Sequence, residues 1–210
     1  QEYKRAHAGN MGIVAGAPMG GLVEADPDDR YGLAAALLHP LKPWFAETGY
    51  TGPIQATGIF HDGRWHAIEY NIRLGITATP MILRILENPA ETLTRTASGV
   101  APEVRFRGDR VFGASLTLAG YGYPFVQLEG PPVPIRVDGE FTCDVWWNEV
   151  ASDGDDGLLA TGHRVADVVA FGVELPAALA LAYENIRKIR CLGSYFRPDI
   201  GDSLWPPGNE

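Results

Sequence analysis

YTGPIQATGIFHDGRWHAIEYNIRLG, Tyr50 to Gly75, is the stretch from which the rest of the chain is read. IQATGIF (54–60) and WHAIEYN (65–71) are rich in β-branched and aromatic residues. They flank HDGR, whose Asp-Gly pair is a hairpin signal. Two antiparallel strands are therefore predicted. Side chains alternate along a strand, so Glu69 and Asn71 share one face, and Arg73 joins them if the strand runs that far. Ile68, Tyr70 and Ile72 take the other face and are free to meet a core.

A carboxylate and an amide oxygen are hard donors. Mg²⁺ is typically held by one or two protein oxygens, with water and substrate phosphates completing its shell. An arginine close by can grip a phosphate or carboxylate with two parallel hydrogen bonds. Glu69, Asn71 and Arg73 thus suit a nucleotide–Mg²⁺ site at the end of a strand. A polar face on a half-exposed strand accounts for the same residues, and the spacing alone leaves both readings open.

Upstream, AGNMGIVAGAPMGG (8–21) reads as a flexible, glycine-rich loop, in which Gly12, Gly16, Gly20 and Gly21 let backbone approach phosphates. Lys4 precedes it, either lining a phosphate site or simply solvated. Asp26 is the expected N-cap of a helix with Pro27 at its first position, broken near Pro40 and ended by Gly49. Downstream, residues 72–79 read as a loop. Pro80 opens one short helix, and Asn88 with Pro89 caps another.

Past a soft boundary near residue 100 the pattern turns to short strands: RVFGASLTLAG, PVPIRV, FTCDVWWNE, LLATG and RVADVVAFGV. A final helix is expected over ELPAALALAYENIRKIRC, with Leu175, Leu179, Ala182, Ile186 and Ile189 on its apolar face. The acidic SDGDDG turn (152–157) lacks the pattern of a calcium loop and its closing Glu. His61 and His66 have no partner at metal-ligand spacing, and Trp146 with Trp147 reads as packing.

The chain has 210 residues, 46% of them hydrophobic, enough for a buried core. A net charge of −9 argues against a nucleic-acid partner. Cys143 and Cys191 are far apart in sequence and fit no metal spacing, so a reducing, cytoplasmic setting is expected. No apolar run approaches the roughly 18 residues of a membrane span, so no membrane partner is expected either. The first residue is Gln1, and a piece of a longer protein or a processed product is expected.

The Tyr50–Gly75 stretch resembles the C-terminal part of the ATP-grasp domain of the phosphoribosylamine–glycine ligase family, where a Tyr-Thr-Gly strand leads through a hairpin into Ile-Glu-Phe-Asn-Cys-Arg-Phe-Gly. QEYKRAHAGNMG at the start, LAGYGYP at 118–124, and the run from Thr161 to Gly201 ending YFRPDIG are similar to the family in the same order. The resemblance implies an α+β fold: the C-terminal half of an ATP-grasp domain (1–100), then a small β-rich domain with a helix (101–210). It implies an ATP-dependent ligase of de novo purine biosynthesis that joins a carboxylate to an amine. Its cofactors would be ATP and Mg²⁺. Glu69 and Asn71 would be the metal ligands, Arg73 the catalytic residue beside the transferred phosphate or the acceptor, and Lys4, Gly12 and Gly16 the nucleotide-binding residues. The partners would be small-molecule substrates and an N-terminal ATP-grasp half that supplies the adenine pocket.

Two departures bear on the substrate. The family continues Asp-Pro-Glu-Thr-Gln-Pro after its glycine, whereas this chain reads ITATP, with Ile76 and Ala78 and neither carboxylate. The family's Gly-Pro-Asn-Thr-Gly-Gly-Met-Gly is here GIVAGAPMGG. A diverged ligase with another acceptor, or a non-catalytic ATP-grasp remnant serving as a binding module, are the alternatives.

Overall fold

The structure is a computed structural model that describes residues 1–126, 130–154 and 157–204. Asp155 and Asp156 of the acidic turn lie outside the described residues. Chain order runs β1 (Arg5–His7), β2 (Met11–Val14), β3 (Gly20–Glu24), α1 (Leu33–Leu37), α2 (Lys42–Thr48), β4 (Gln55–His61), β5 (Arg64–Asn71), α3 (Ala78–Ile85) and α4 (Pro89–Ala97). It continues with β6 (Phe112–Ala119), β7 (Val133–Val137), β8 (Asp144–Trp147), β9 (Val150–Ser152), β10 (Leu158–Ala160), β11 (Arg164–Gly172), α5 (Leu175–Ile186) and β12 (Ile189–Cys191).

The core forms around an antiparallel sheet of order β3-β6-β11-β8. FGASLTLA and RVADVVAFG are almost wholly buried because helices cover both sides of the sheet. Gly20 and Gly21 show how closely. A Cβ on Gly20 would lie 3.1 Å from the Ile200 side chain, on the side of α5 and the C-terminal tail, and one on Gly21 would lie 3.1 Å from Thr77 Cγ2, on the side of α3. Neighbours in a strand point to opposite faces, so this Gly-Gly pair lets both layers approach β3. A second sheet, β12-β7-β10-β9, and two hairpins, β1–β2 and β4–β5, complete the architecture. The fold is mixed helix and sheet, as expected. The main sheet crosses residue 100, since β3 pairs with β6 along Gly20↔Leu116 to Glu24↔Phe112.

Several local expectations change. The glycine-rich segment is not a free loop. It folds into the β1–β2 hairpin and β3, with Ala15 and Met19 fully buried. The helix expected from Asp26 starts later. Asp26 Oδ1 accepts the Arg30 N–H in a turn, and the Asp29 carboxylate caps α1 by accepting the N–H groups of Ala34 (2.9 Å) and Ala35 (2.7 Å). The break near Pro40 is present as a 3₁₀ turn, His39–Leu41, and Gly49 ends α2 at φ 64°. α3 begins at Ala78, ahead of Pro80. Asn88 precedes α4 as expected, but its side chain caps no backbone N–H of the helix: its amide donates to the Glu103 carbonyl and to Glu91 Oε2, and its oxygen accepts the Arg105 N–H. α5 stops at Ile186, and Ile189–Cys191 pairs with β7 instead of extending the helix.

Candidate functional site

The β4–β5 hairpin presents the carboxylate–amide pair. Its register pairs Gln55 with Asn71 and Thr57 with Glu69, then slips so that Gly58 opposes Ala67 and Ile68 is the extra residue of a bulge. Bulges commonly re-aim side chains beside functional sites. Beyond it Glu69 and Asn71 share a face, with Gln55 and Thr57 opposite them. Glu69 is exposed and Asn71 half-buried. Two accessible oxygen donors of this kind fit a hard divalent cation. Among the described residues no group of three or more His, Cys, Asp or Glu gathers to hold a metal. An ion at Glu69 and Asn71 would therefore lean on a ligand's oxygens.

Arg73 is not on the ladder. β5 ends at Asn71, and the Arg73 guanidinium, exposed beyond it, donates to the Leu74 carbonyl at 3.2 Å. Nor do the apolar residues between the polar ones meet a core: Ile68, Tyr70 and Ile72 are 58%, 42% and 70% exposed. A two-stranded ladder has no neighbouring strand to cover it. What holds this hairpin to the chain is local. The Tyr70 hydroxyl donates to the Leu37 carbonyl and the Trp65 indole N–H to the Tyr31 carbonyl. Gln55 Oε1 accepts the Gly75 N–H at 2.7 Å.

Lys4, Gly12 and Gly16 come together at the other hairpin. Lys4 Nζ donates to the Gly16 carbonyl at 3.3 Å and pairs with Glu2 at 3.4 Å, while the Gly12 carbonyl accepts from Arg5 at 2.8 Å. The C-terminal motif clamps the turn of this hairpin. Buried Arg197 donates to the Arg5 carbonyl and to Asn10 Oδ1, and chelates Asp199, whose second oxygen accepts the Gly9 N–H at 2.9 Å. Gly9 and Asn10 both have left-handed backbone, φ 66° and 55°, so the clamp fixes a conformation that few residues adopt.

The hydrogen bonds from Arg197 hold the Asp199 carboxyl below the ordinary aspartate range, outweighing the opposite push of burial, and the Gly9 N–H adds to them. With the folded value depressed, the stabilisation is complete above the unfolded value and disappears as pH falls through the folded one. The melting-temperature gap between the unaltered chain and Asp199→Asn is therefore expected to be widest near neutrality and to close toward pH 2. A gap that stays constant over that range would show that the ionised carboxylate contributes nothing.

Sequence reading missed three groups: the Arg197–Asp199 clamp, buried Thr77, and the buried Arg164–Asp167 pair on β11, joined at 2.7 Å. The pair had a signal, two opposite charges three apart inside an otherwise apolar strand, RVADVVAFG. Thr77 had none.

Residues 114–203 match the family described as "Phosphoribosylglycinamide synthetase, C domain". The phosphoribosylamine–glycine ligase of Corynebacterium ammoniagenes is 27% identical over 216 residues, covering 97% of this chain and 49% of that protein. That of Mycobacterium bovis is 30% identical over 214 residues, covering 96% and 48%. The chain thus spans about half the length of the curated relatives it matches. Among solved structures, the phosphoribosylamine–glycine ligase of Thermotoga maritima aligns with a TM-score of 0.74 at 25% identity, over 95% of this chain and 50% of the other. The biotin carboxylase domain of Hydrogenobacter thermophilus 2-oxoglutarate carboxylase, in complex with MgADP, shares the fold at a TM-score of 0.57 and 17% identity, over 85% and 40%. No helix among the described residues is long and apolar enough to cross a membrane.

Proposed function

We propose that this chain, similar over almost its whole length to the C-terminal part of phosphoribosylamine–glycine ligases, is the C-terminal part of an ATP-dependent carboxylate–amine ligase of purine biosynthesis, working in the cytoplasm. The observation that carries the reading is the order Glu69, Asn71, Arg73, Gly75 at the end of β5, in a chain that aligns with the Thermotoga maritima ligase. Glu69 and Asn71 would hold Mg²⁺, which when bound neutralises phosphate charge. Arg73, unpaired with any carboxylate among the described residues, would swing onto the transferred phosphate. Lys4, Gly12 and Gly16 would face the nucleotide phosphates. The chemistry asked of the protein is positioning and electrostatic stabilisation: a carboxylate attacks the terminal phosphorus of ATP, ADP leaves, and an amine displaces phosphate from the acyl phosphate. The junction between the ATP-grasp portion and the β-rich portion is placed near residue 100. Because β3 bonds to β6 across it, both portions should unfold in one transition.

The test is ADP release by the chain joined to an N-terminal ATP-grasp half, with Mg-ATP, glycine and phosphoribosylamine. Absence of Mg²⁺-dependent ADP release with any carboxylate–amine pair would overturn the reading. A second reading, a ligase with another acceptor, is favoured by Ile76 and Ala78, which bring no charge to the turn after β5. Under it, glycine and phosphoribosylamine release ADP slowly and a different pair releases it fast.

The exposed Ile68, Tyr70 and Ile72 support a place for the N-terminal half against the β4–β5 hairpin. Without that half, water is not excluded and the phosphates have one wall only. The 210 residues by themselves are expected to bind Mg-ATP no more tightly than the millimolar range, about 4 kcal/mol. Isothermal titration reads this directly, and micromolar binding would show that the chain is self-sufficient.

A further inference from the structure

Arg164 is buried where four segments meet. Its Nη2 donates to Asp167 Oδ1 at 2.7 Å, Thr117 Oγ1 at 3.0 Å and Thr77 Oγ1 at 3.3 Å, and its Nη1 to the Pro18 carbonyl at 3.1 Å. Asp167 is held in turn by the Thr117 hydroxyl at 2.6 Å and by Asn148 Nδ2 at 3.0 Å. Tyr123 donates to the Ala17 carbonyl at 2.6 Å from the same side. A buried ion pair is poor evidence of stabilisation, because desolvating both charges offsets their attraction. What a guanidinium offers at such a place is five N–H donors in a rigid plane, able to fix several acceptors at once.

The two segments it fixes outside its own sheet are continuous in sequence with the two parts of the proposed nucleotide site. On one side, the Gly75 N–H is held by Gln55, the residue paired with Asn71. The Gly75 carbonyl accepts from the Thr79 N–H at 2.8 Å and hydroxyl at 2.7 Å, and within this turn sits Thr77, bonded to Arg164. On the other, Pro18 lies in the glycine-rich segment after Gly12 and Gly16, and the next residue, Met19, is fully buried. We propose that Arg164 is a positioning residue, which registers the turn after the metal-motif strand, through Thr77, against the glycine-rich segment, through Pro18. The proposal rests on the ligase reading for its purpose and on the hydrogen bonds for its mechanics.

Two variants separate this from a plain structural ion pair. Thr77→Val removes only the hydroxyl that Arg164 reaches. Arg164→Met with Asp167→Asn removes both charges together, so that neither is stranded, and an amide remains for Thr117 and Asn148. In native-state hydrogen exchange, Thr77→Val is expected to speed the Thr79 amide at least tenfold and leave Ala15 and Met19 unchanged. The paired variant is expected to speed all three, while Leu116 and Val168 keep their protection. Uniform acceleration, or none, would mean the pair serves stability alone and would overturn the proposal.

In the chain joined to its N-terminal half, both variants should raise KM for Mg-ATP at least fivefold, with a smaller change in kcat. An unchanged KM would overturn the link to the nucleotide site. Failure of the unsubstituted protein to release ADP would instead sink the ligase reading, and the exchange pattern would still decide whether Arg164 registers the two segments.

Discussion

Glu69→Ala, made in the chain joined to an N-terminal ATP-grasp half, is expected to lose Mg²⁺-dependent ADP release by about a thousandfold, ~4 kcal/mol of transition-state stabilisation. The size follows from the donor set. Glu69 and Asn71 bring one carboxylate and one neutral amide, so Glu69 supplies the only negative charge that β5 offers the ion. Among the described residues no group of three or more His, Cys, Asp or Glu gathers that could hold the ion instead. The fold should be indifferent. Glu69 is exposed on a hairpin that stands outside both main sheets, and surface substitutions of this kind change stability by about 0.5 kcal/mol or less. Glu69→Gln keeps an oxygen donor without the charge and should fall between the two. The measurement is a coupled ADP-release assay beside a urea transition. Unchanged turnover with an unchanged urea midpoint would remove Glu69 from the proposed metal site and leave it part of a polar, half-exposed strand face.

Arg164→Met alone is expected to destabilise the chain by about 3–5 kcal/mol, the cost of leaving one member of a buried ion pair without the other. Asp167 would remain within the main sheet, nearly inaccessible to water, with Thr117 and Asn148 as its remaining partners. Converting Asp167 to Asn in the same molecule should recover most of the loss, because the stranded charge accounts for most of it. Urea denaturation of the three proteins decides the point. A single variant as stable as the starting chain would mean that Asp167 finds another cation or water. A paired variant no better than the single would mean that the loss comes from the hydrogen bonds of Arg164 to Pro18 and Thr77.

The elements best read from sequence are those whose signal is local. The hairpin over 54–71 was legible because strand-forming residues flank an Asp-Gly turn, and β4 and β5 meet there as expected. Pro40 and Gly49 marked a break and an end because each restricts or frees its own backbone angles, whatever the surroundings. The charge at Asp26 misled because Asp29, three residues on, offers the same capping chemistry, and local propensity does not rank two such candidates. The sequence pattern carries α5 five residues too far, to Cys191. Apolar residues continue past Ile186 at helical spacing, and only the partner strand β7 turns Ile189–Cys191 into a strand.

The sequence by itself determined the chemistry this chain can offer: two hard oxygen donors on one strand face, an arginine just beyond, and a glycine-rich segment with a lysine before it. Those follow from side-chain type and from the period of a strand, both of which are properties of a few consecutive residues. Tertiary structure alone decided where these pieces stand. It folded the glycine-rich segment into a hairpin and β3, left Ile68, Tyr70 and Ile72 uncovered, and put Arg164 against Thr77 and Pro18, 87 and 146 residues away in the chain. Contacts at such separations depend on which faces the sheet buries and on which buried polar atoms must find a partner there, and no window of sequence contains both ends of them.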